Sequence, residues 1–404
     1  MQAIMLAAGK GSRLGKYTKN NTKCMLEVNG LSLLERTIES LICAGINSLT
    51  LVVGYKKNEL IEYINDKKLN ERITIKYIEN NDYNSTNNIY SLYLAKDSLV
   101  EDDTILLESD LIYEPSIIKQ LVDCKYDNVA VVAKYKDWMD GTVVTLDDDN
   151  NIIEFVEKKD FSFDDAKNYF KTVNIYKFTK DYMRKFYIPF LETYLNTYGK
   201  NHYYELVLKV ISKIPDSGIK AMKISDEKWY EIDDCQDLDI SSALFATGKT
   251  KLELFQKRYG GYWRFSDVKD FCYLVNTYFP TKQFIEKMKF NFSNLICQYP
   301  SALYIQNKCI SRFCNVDESK IIVGNGAAEL INAIGHLLSG TVGVIVPTFN
   351  EYIRCFNKNK ILELDISKTN YELTKDMVLN FIDEIDNLVL INPDNPTGNF
   401  LNKN

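Results

Sequence analysis

Between Leu6 and Gly15 the chain reads LAAGKGSRLG, where an apolar run from Ala3 to Ala8 gives way to closely spaced glycines and a cation. A strand that stops at small residues lets the next turn present bare amide N–H groups to phosphate oxygens. Gly9 and Gly11 supply the permissive backbone, while Arg13 and Lys23 supply positive charge. Leu6, Ala7, Ala8, Gly9, Gly11 and Ser12 together suit the cradle of a nucleoside triphosphate. A dinucleotide-binding turn fits less well. Gly9, Gly11 and Gly15 make G-x-G-x-x-x-G, and Arg13 stands where such a fold wants close helix packing. The next strand-like run, Leu49–Val53, ends in Gly54-Tyr55 with no acid to hold a ribose.

Moving a nucleotidyl group requires a held triphosphate, neutralised charge at the α-phosphorus and an acceptor oxygen in line with the departing pyrophosphate. Two acids stand where they could hold a metal for this. Asp110 ends LLESD, at the carboxyl end of the strand-like run Thr104–Leu107, and Asp233 lies in WYEIDD, after Lys220–Ile224. Carboxylates, water and phosphate oxygens are the ligands Mg²⁺ prefers. Either acid alone would read as a cap or a surface charge. Their company with the glycine loop makes them candidate metal ligands. A phosphate or phosphonate acceptor is already an anion near neutral pH, so a chain with only two histidines, His202 and His336, is not handicapped.

The elements that must position these residues alternate along the first 245 positions. Ser32-Leu-Leu-Glu35 is a capping box opening a helix that ends at Gly45, with Leu34, Ile38, Leu41 and Ile42 on one face. Strand-like runs lie at 49–53, 73–78, 104–107, 129–133 and 173–178, and helical patterns at 89–96 and 202–214. Residues 142–155 read as a hairpin with an acidic, solvated turn. Strands separated by helices predict an α/β, doubly wound, mostly parallel sheet whose ligand sits beyond the carboxyl ends of the strands. Residues 246–262 read as a linker or arm. From 263 the alternation restarts, with a helix at 301–314 and strands at 320–323, 342–346 and 388–391.

LAAGKGSRL, Thr22-Lys23, DYNSTNNIYSLYLA (Asp82 to Ala95), LLESD and YEIDD occur in an order that resembles the phosphocholine-type cytidylyltransferases, within the sugar-phosphate nucleotidyltransferase superfamily. The resemblance covers residues 1–245 and implies a nucleotidyltransferase fold with Mg²⁺ dependence. It implies that residues 6 to 13 cradle the triphosphate, Lys23 neutralises developing charge, and Asp110 and Asp233 hold the metal. Asn84, Thr86, Asn87, Asn88 and Ser91 fall where that family approaches the base and ribose. Such groups read a pyrimidine edge but also cap helices, and Asn88 is equally a cap for 89–96. A zwitterionic acceptor would want an aromatic or an acid against its ammonium, for which Trp138, Tyr203, Tyr204 and Glu231 are candidates.

NPDNPTG, Asn392 to Gly398, resembles a hallmark of fold-type I pyridoxal-phosphate aminotransferases of the histidinol-phosphate aminotransferase and threonine-phosphate decarboxylase group. The resemblance implies that Asn395 meets the cofactor's phenolic oxygen, Phe349 stacks on its ring, and the amides of Ala327 and Ala328 in GNGAAEL bind its phosphate. The family's Schiff-base lysine, pyridine-nitrogen aspartate and carboxylate-binding arginine come later than Asn404, and Lys403 is too close to the motif to serve. The expectation is therefore an incomplete aminotransferase domain at 263–404, with pyridoxal phosphate a cofactor only of an intact one. The pairing resembles the bifunctional phosphonate cytidylyltransferase–transaminases. It implies CTP and 2-aminoethylphosphonate as substrates, with phosphocholine, phosphoethanolamine or a sugar phosphate as alternative acceptors.

The bulk composition agrees with a globular enzyme. The chain has 404 residues, 46% hydrophobic and 26% charged, enough for two or three domains. A net charge of −6 with no basic run argues against nucleic acid as a partner. No apolar stretch suits a membrane span or signal peptide, and nine cysteines without CxxC suit reduced thiols, so a cytoplasmic protein is expected, and the resemblance to the fold-type I family implies a homodimer.

Overall fold

The strand β1 (Gln2–Ala7) is buried along its whole length, and its side chains serve two separate cores. Ala3, Met5 and Ala7 join one apolar cluster, while Ile4 and Leu6 join another. The same division holds in β2 (Ser48–Val53) and, past β3 (Thr74–Glu79), in β4 (Thr104–Glu108), where Ile105 and Leu107 face the first cluster and Leu106 the second. Alternate residues of a strand point to opposite faces, so strands apolar on both sides need helices on both sides. Their order, β3-β2-β1-β4, is parallel throughout.

In this computed structural model residues 1–214, 217–258, 260–265, 267–271, 275–356 and 360–401 are described, and the chain divides into two units, Met1–Leu274 and Val275–Asn404. After β5 (Leu111–Tyr113) and β6 (Val129–Lys134) comes the hairpin of β7 (Val143–Leu146) and β8 (Ile152–Val156). The long β9 (Phe170–Phe178) runs antiparallel to β4, β6 and β7, and β10 (Lys220–Ile224) lies parallel to β6. The result is a mixed α/β unit with a mostly parallel central sheet, as the sequence pattern predicts. The short β11 (Trp229–Glu231) pairs with β5 apart from that sheet.

Helix α1 (Leu33–Cys43) starts where the capping box places it: Ser32 Oγ accepts from the Glu35 amide at 3.1 Å, and Glu35 Oε2 accepts from the Ser32 amide at 2.9 Å. Among the later helices of this unit, those nearest the site or its supports are α2 (Asn88–Leu94), α3 (Glu205–Ile211), α4 (Cys235–Leu244) and α5 (Gly248–Gln256). The stretch expected as a linker from 246 is largely α5, ordered because Phe255 packs with Phe265, Tyr262 and Ile240.

The second unit holds the helices α6 (Lys282–Cys297), α7 (Leu303–Cys314) and α8 (Ala327–Leu337). Its parallel sheet consists of β12 (Thr341–Val346), β13 (Lys360–Asp365) and β14 (Asn387–Val389), with β12 in the middle and Val342 and Val344 fully buried. The strand expected at 320–323 is instead a turn, Glu318–Lys320, followed by extended chain. Its backbone finds other partners, the Val323 amide donating to Asn307 Oδ1 at 2.9 Å. Among the described residues no helix is long and apolar enough to cross a membrane.

Replacing Ser32 with Ala removes one half of the α1 cap and should cost about 1 kcal/mol of stability. Urea unfolding should show a lower midpoint with an unchanged slope, and an unchanged midpoint would contradict the role given to the cap.

Candidate active site

The site begins where β1 stops. Beyond Ala7 the chain turns through Gly9 and Gly11 into a 3₁₀ turn, Ser12–Tyr17, anchored by the fully buried Leu14. Gly11 has φ +59°, and a Cβ there would come within 2.8 Å of Lys23 Cγ, so only glycine lets Lys23 pass so close. Gly54, at the end of β2, is packed as tightly: a Cβ would lie 3.0 Å from the Ala8 carbonyl, which accepts from the Tyr55 amide at 3.1 Å. Two glycines thus fix the loop from opposite sides.

Asp110 and Asp233, distant in sequence, are brought together by a short ladder. Register of β5 with β11 sets Leu111 opposite Glu231, and the Ile232 amide donates to the Asp110 carbonyl at 2.9 Å. Asp233 is then held by the cap of α4, where Asp237 Oδ2 accepts from the Asp233 amide at 3.0 Å and Asp234 caps the helix. Lys23 Nζ lies in the gap, 2.7 Å from Asp110 Oδ2 and 2.8 Å from Asp233 Oδ1. Arg13 reaches the same Asp233 oxygen at 2.7 Å.

Carboxylate oxygens of Asp110, Glu231 and Asp233 lie within 4.8 Å of one another. Asp110 Oδ1 is buried without a hydrogen-bond partner. An all-oxygen set with one orphaned lone-pair donor fits Mg²⁺. Glu231 is braced by Lys171 Nζ at 3.4 Å and Asn174 Nδ2 at 3.3 Å, both from β9 near its register shift.

The electrostatics follow from this crowding. Burial works against the Lys23 ammonium, but Asp110 and Asp233 outweigh it and hold its pKa above the ordinary lysine value. Burial likewise disfavours charge on Asp233, yet Lys23 and Arg13 keep its carboxyl below the usual range. Burial, reinforced by Asp110 and Glu205, pushes Glu108 well up, and burial raises Glu231 against the pull of Lys171. Glu205 is pushed up to about 7, chiefly by burial.

These groups line one cleft of about 850 Å³, together with Leu6, Ala8, Gly9, Gly11, Ser12, Thr86, Asn87, Asn88, Ser91, Trp138 and Tyr203. Asn87 caps α2, its Oδ1 accepting from the Asn88 amide at 2.8 Å, so Asn88 is not the cap. Asn88 instead bridges, donating to Glu108 Oε1 and accepting from the Tyr204 amide, both at 3.0 Å. Thr86 and Ser91 both accept from Asn80 at 3.1 Å. Trp138 stacks on Tyr230 with ring centroids 4.7 Å apart.

Three expected residues are placed elsewhere. Ala7 packs into the core beneath the sheet and Asn84 is exposed outside the cleft lining. Tyr204 is fully buried against Tyr176 rather than open to a ligand. The sequence reading missed Glu108, Lys171, Asn174, Lys158 and Glu205, which all line the cleft. Lys171 and Asn174 had a signal, since polar residues inside an otherwise apolar strand need a reason to be there.

In the second unit, Ala327 and Ala328 open α8 behind Gly326, Phe349 is partly exposed near Tyr352, and Asn395 is exposed in its loop. The cavity beside NPDNPTG, about 330 Å³, is lined by Ile345, Ile366, Thr374, Leu390, Asp394 and Phe400 among others, and by none of those four. Lys403 lies outside the described residues.

Residues 2–248 match the family profile described as nucleotidyl transferase. Over 401 residues, 98% of this chain, the sequence is 27% identical to the CMP-5'-(3-aminopropyl)phosphonate synthase of Streptomyces rubellomurinus, spanning 63% of that protein's length. It is 36% identical over 119 residues to the 2-aminoethylphosphonate cytidylyltransferase of Lancefieldella rimae, covering 29% of this chain and 46% of that one. In solved structures, the fold is similar to the CTP:phosphocholine cytidylyltransferase from Streptococcus pneumoniae, with a TM-score of 0.52 at 23% identity over 61% of this chain and 99% of that one.

The raised Glu205 has a consequence for stability. Its folded pKa of about 7 exceeds the ordinary carboxyl value of 4.5, so the native state binds the extra proton between these values. Stability contributed by that proton is present at low pH and lost as pH rises through about 7. Glu205→Gln should therefore gain stability relative to wild type as pH rises from about 5 to about 7, and level off above that, in denaturant unfolding. Parallel stability curves would contradict the burial assigned to this carboxylate.

Proposed function

The chain belongs to the nucleotidyl transferase family, and on that premise we propose that residues 1–245 transfer CMP from CTP to a small phosphonate or phosphate, releasing pyrophosphate. The observation that carries the reading is Lys23 held between Asp110 and Asp233 at the mouth of the glycine loop. The amides of the Gly9–Ser12 turn would bind the triphosphate, and Arg13 and Lys23 would face its charge. Asp110 and Asp233, with Glu231 beside them, would hold Mg²⁺, which supplies charge neutralisation at the phosphorus under attack. The acceptor oxygen needs no base, because it is already an anion.

We take 2-aminoethylphosphonate as the leading acceptor. Support comes from the phosphonate relatives, from the acidic floor of the cleft and from Trp138 at its side. Thr86, Asn87 and Ser91 would read the base and ribose, and Asn88 would act through Glu108 and Tyr204. For residues 263–404 we infer kinship with fold-type I pyridoxal-phosphate domains from GNGAAEL and NPDNPTG, and assign no chemistry to them.

Two measurements test this. A panel of CTP, UTP, ATP and dTTP against 2-aminoethylphosphonate, phosphocholine, phosphoethanolamine and a hexose 1-phosphate should release pyrophosphate fastest with CTP and the phosphonate. Highest turnover with a hexose 1-phosphate would replace the proposed acceptor. Asp110→Asn should lower pyrophosphate release by roughly a hundredfold or more while circular dichroism is retained. Near-normal turnover would remove Asp110 from the metal site.

A further inference from the structure

Most acids that line the cleft have a cationic partner. Asp110 and Asp233 have Lys23, Glu231 has Lys171, Glu157 has Lys209, and Asp140 has Lys158. Among the described residues Glu205 has no ion-pair partner of its own, although it is 7% exposed. Its Oε2 is buried with no hydrogen-bond partner. Lys171, the cation that influences it, is committed to Glu231 and to the Thr172 carbonyl at 2.8 Å. A carboxylate oxygen shut away from water without a donor costs stability unless something supplies that donor.

The geometry points to Glu205 as the group that receives the ammonium of a primary-amine acceptor, and so selects primary amines over quaternary ones. This rests on the nucleotidyl-transfer reading given above. The carboxylate lines the same cleft as the Asp110–Asp233 fork, at the first residue of α3, where the short helix holds it in place. Behind it, Tyr176, Tyr187 and Tyr204 are fully buried and close the wall to water. A primary ammonium carries N–H donors, the complement that a carboxylate lining the cleft calls for. A trimethylammonium presents only methyl groups, cannot hydrogen-bond, and needs more room. Glu205 as a mere helix-start acid would stabilise α3 without regard to the acceptor, and the two roles separate experimentally.

The experiment uses the full chain with CTP and Mg²⁺, reading kcat and KM from pyrophosphate release. The acceptors are 2-aminoethylphosphonate, its methyl isostere n-propylphosphonate, and 2-(trimethylammonio)ethylphosphonate. Wild type should favour the primary amine over both others by roughly ten- to hundredfold, mainly in KM, the worth of one charge-assisted hydrogen bond. Glu205→Gln should collapse that preference through the acceptor KM, with the KM for CTP unmoved. A preference kept in Glu205→Gln overturns the assignment, as does a wild type that ranks the trimethyl compound first. Should the variant fail to fold, the wild-type ranking of the three acceptors decides alone. If no acceptor in this set or in the wider panel releases pyrophosphate, the nucleotidyl-transfer reading itself falls, and this inference with it.

Discussion

An ammonium set between two carboxylates in a mostly buried cleft is the constraint on which the rest of the first unit depends. Lys23 and Asp110 are each 15% exposed, so the charges have largely left water and must satisfy one another. Deleting one partner of such a pair costs about 3–5 kcal/mol, because an unpaired buried charge remains. On the proposed function, the same arrangement holds what phosphoryl transfer uses. A cation and two oxygen donors stand ready, with one donor oxygen on Asp110 still unengaged.

Everything around the fork keeps those three side chains in reach. The parallel strands bring the Gly9–Ser12 turn to their carboxyl ends, and Gly11 and Gly54 permit the close approaches that aim it. The short β5–β11 ladder brings residues 110 and 233 side by side, and the cap of α4 holds the backbone of Asp233. None of these devices is strong alone. Each transmits the rigidity of the doubly covered sheet to a loop, as catalytic geometry requires.

Much of this was legible in the sequence, for identifiable reasons. The loop after β1 announces itself through glycine spacing at the end of an apolar run, and the α1 start through a local capping box whose partners are three residues apart. Asp110 and Asp233 were found because each follows a strand pattern, though nothing local shows that they converge. What was not legible depends on distant contacts. The burial of Tyr204 and Glu205 is decided by packing against β9 and the tyrosines around it, which no window of residues 202–214 reveals. Residues 246–262 read in sequence as a linker or arm, and the helix at 248–256 within them is not legible there because its apolar partners, Ile240 and Phe265, lie outside it. The expected strand at 320–323 failed for the opposite reason, since a strand pattern without a neighbour to pair with stays extended chain.

The most direct test of the central claim is anomalous diffraction from crystals grown with CTP and Mn²⁺ in place of Mg²⁺. The account predicts an anomalous peak bonded to both Asp110 and Asp233, with Lys23 turned from the carboxylates toward the phosphates. A metal bound away from these two aspartates, with Lys23 still bridging them beside a bound nucleotide, would contradict it.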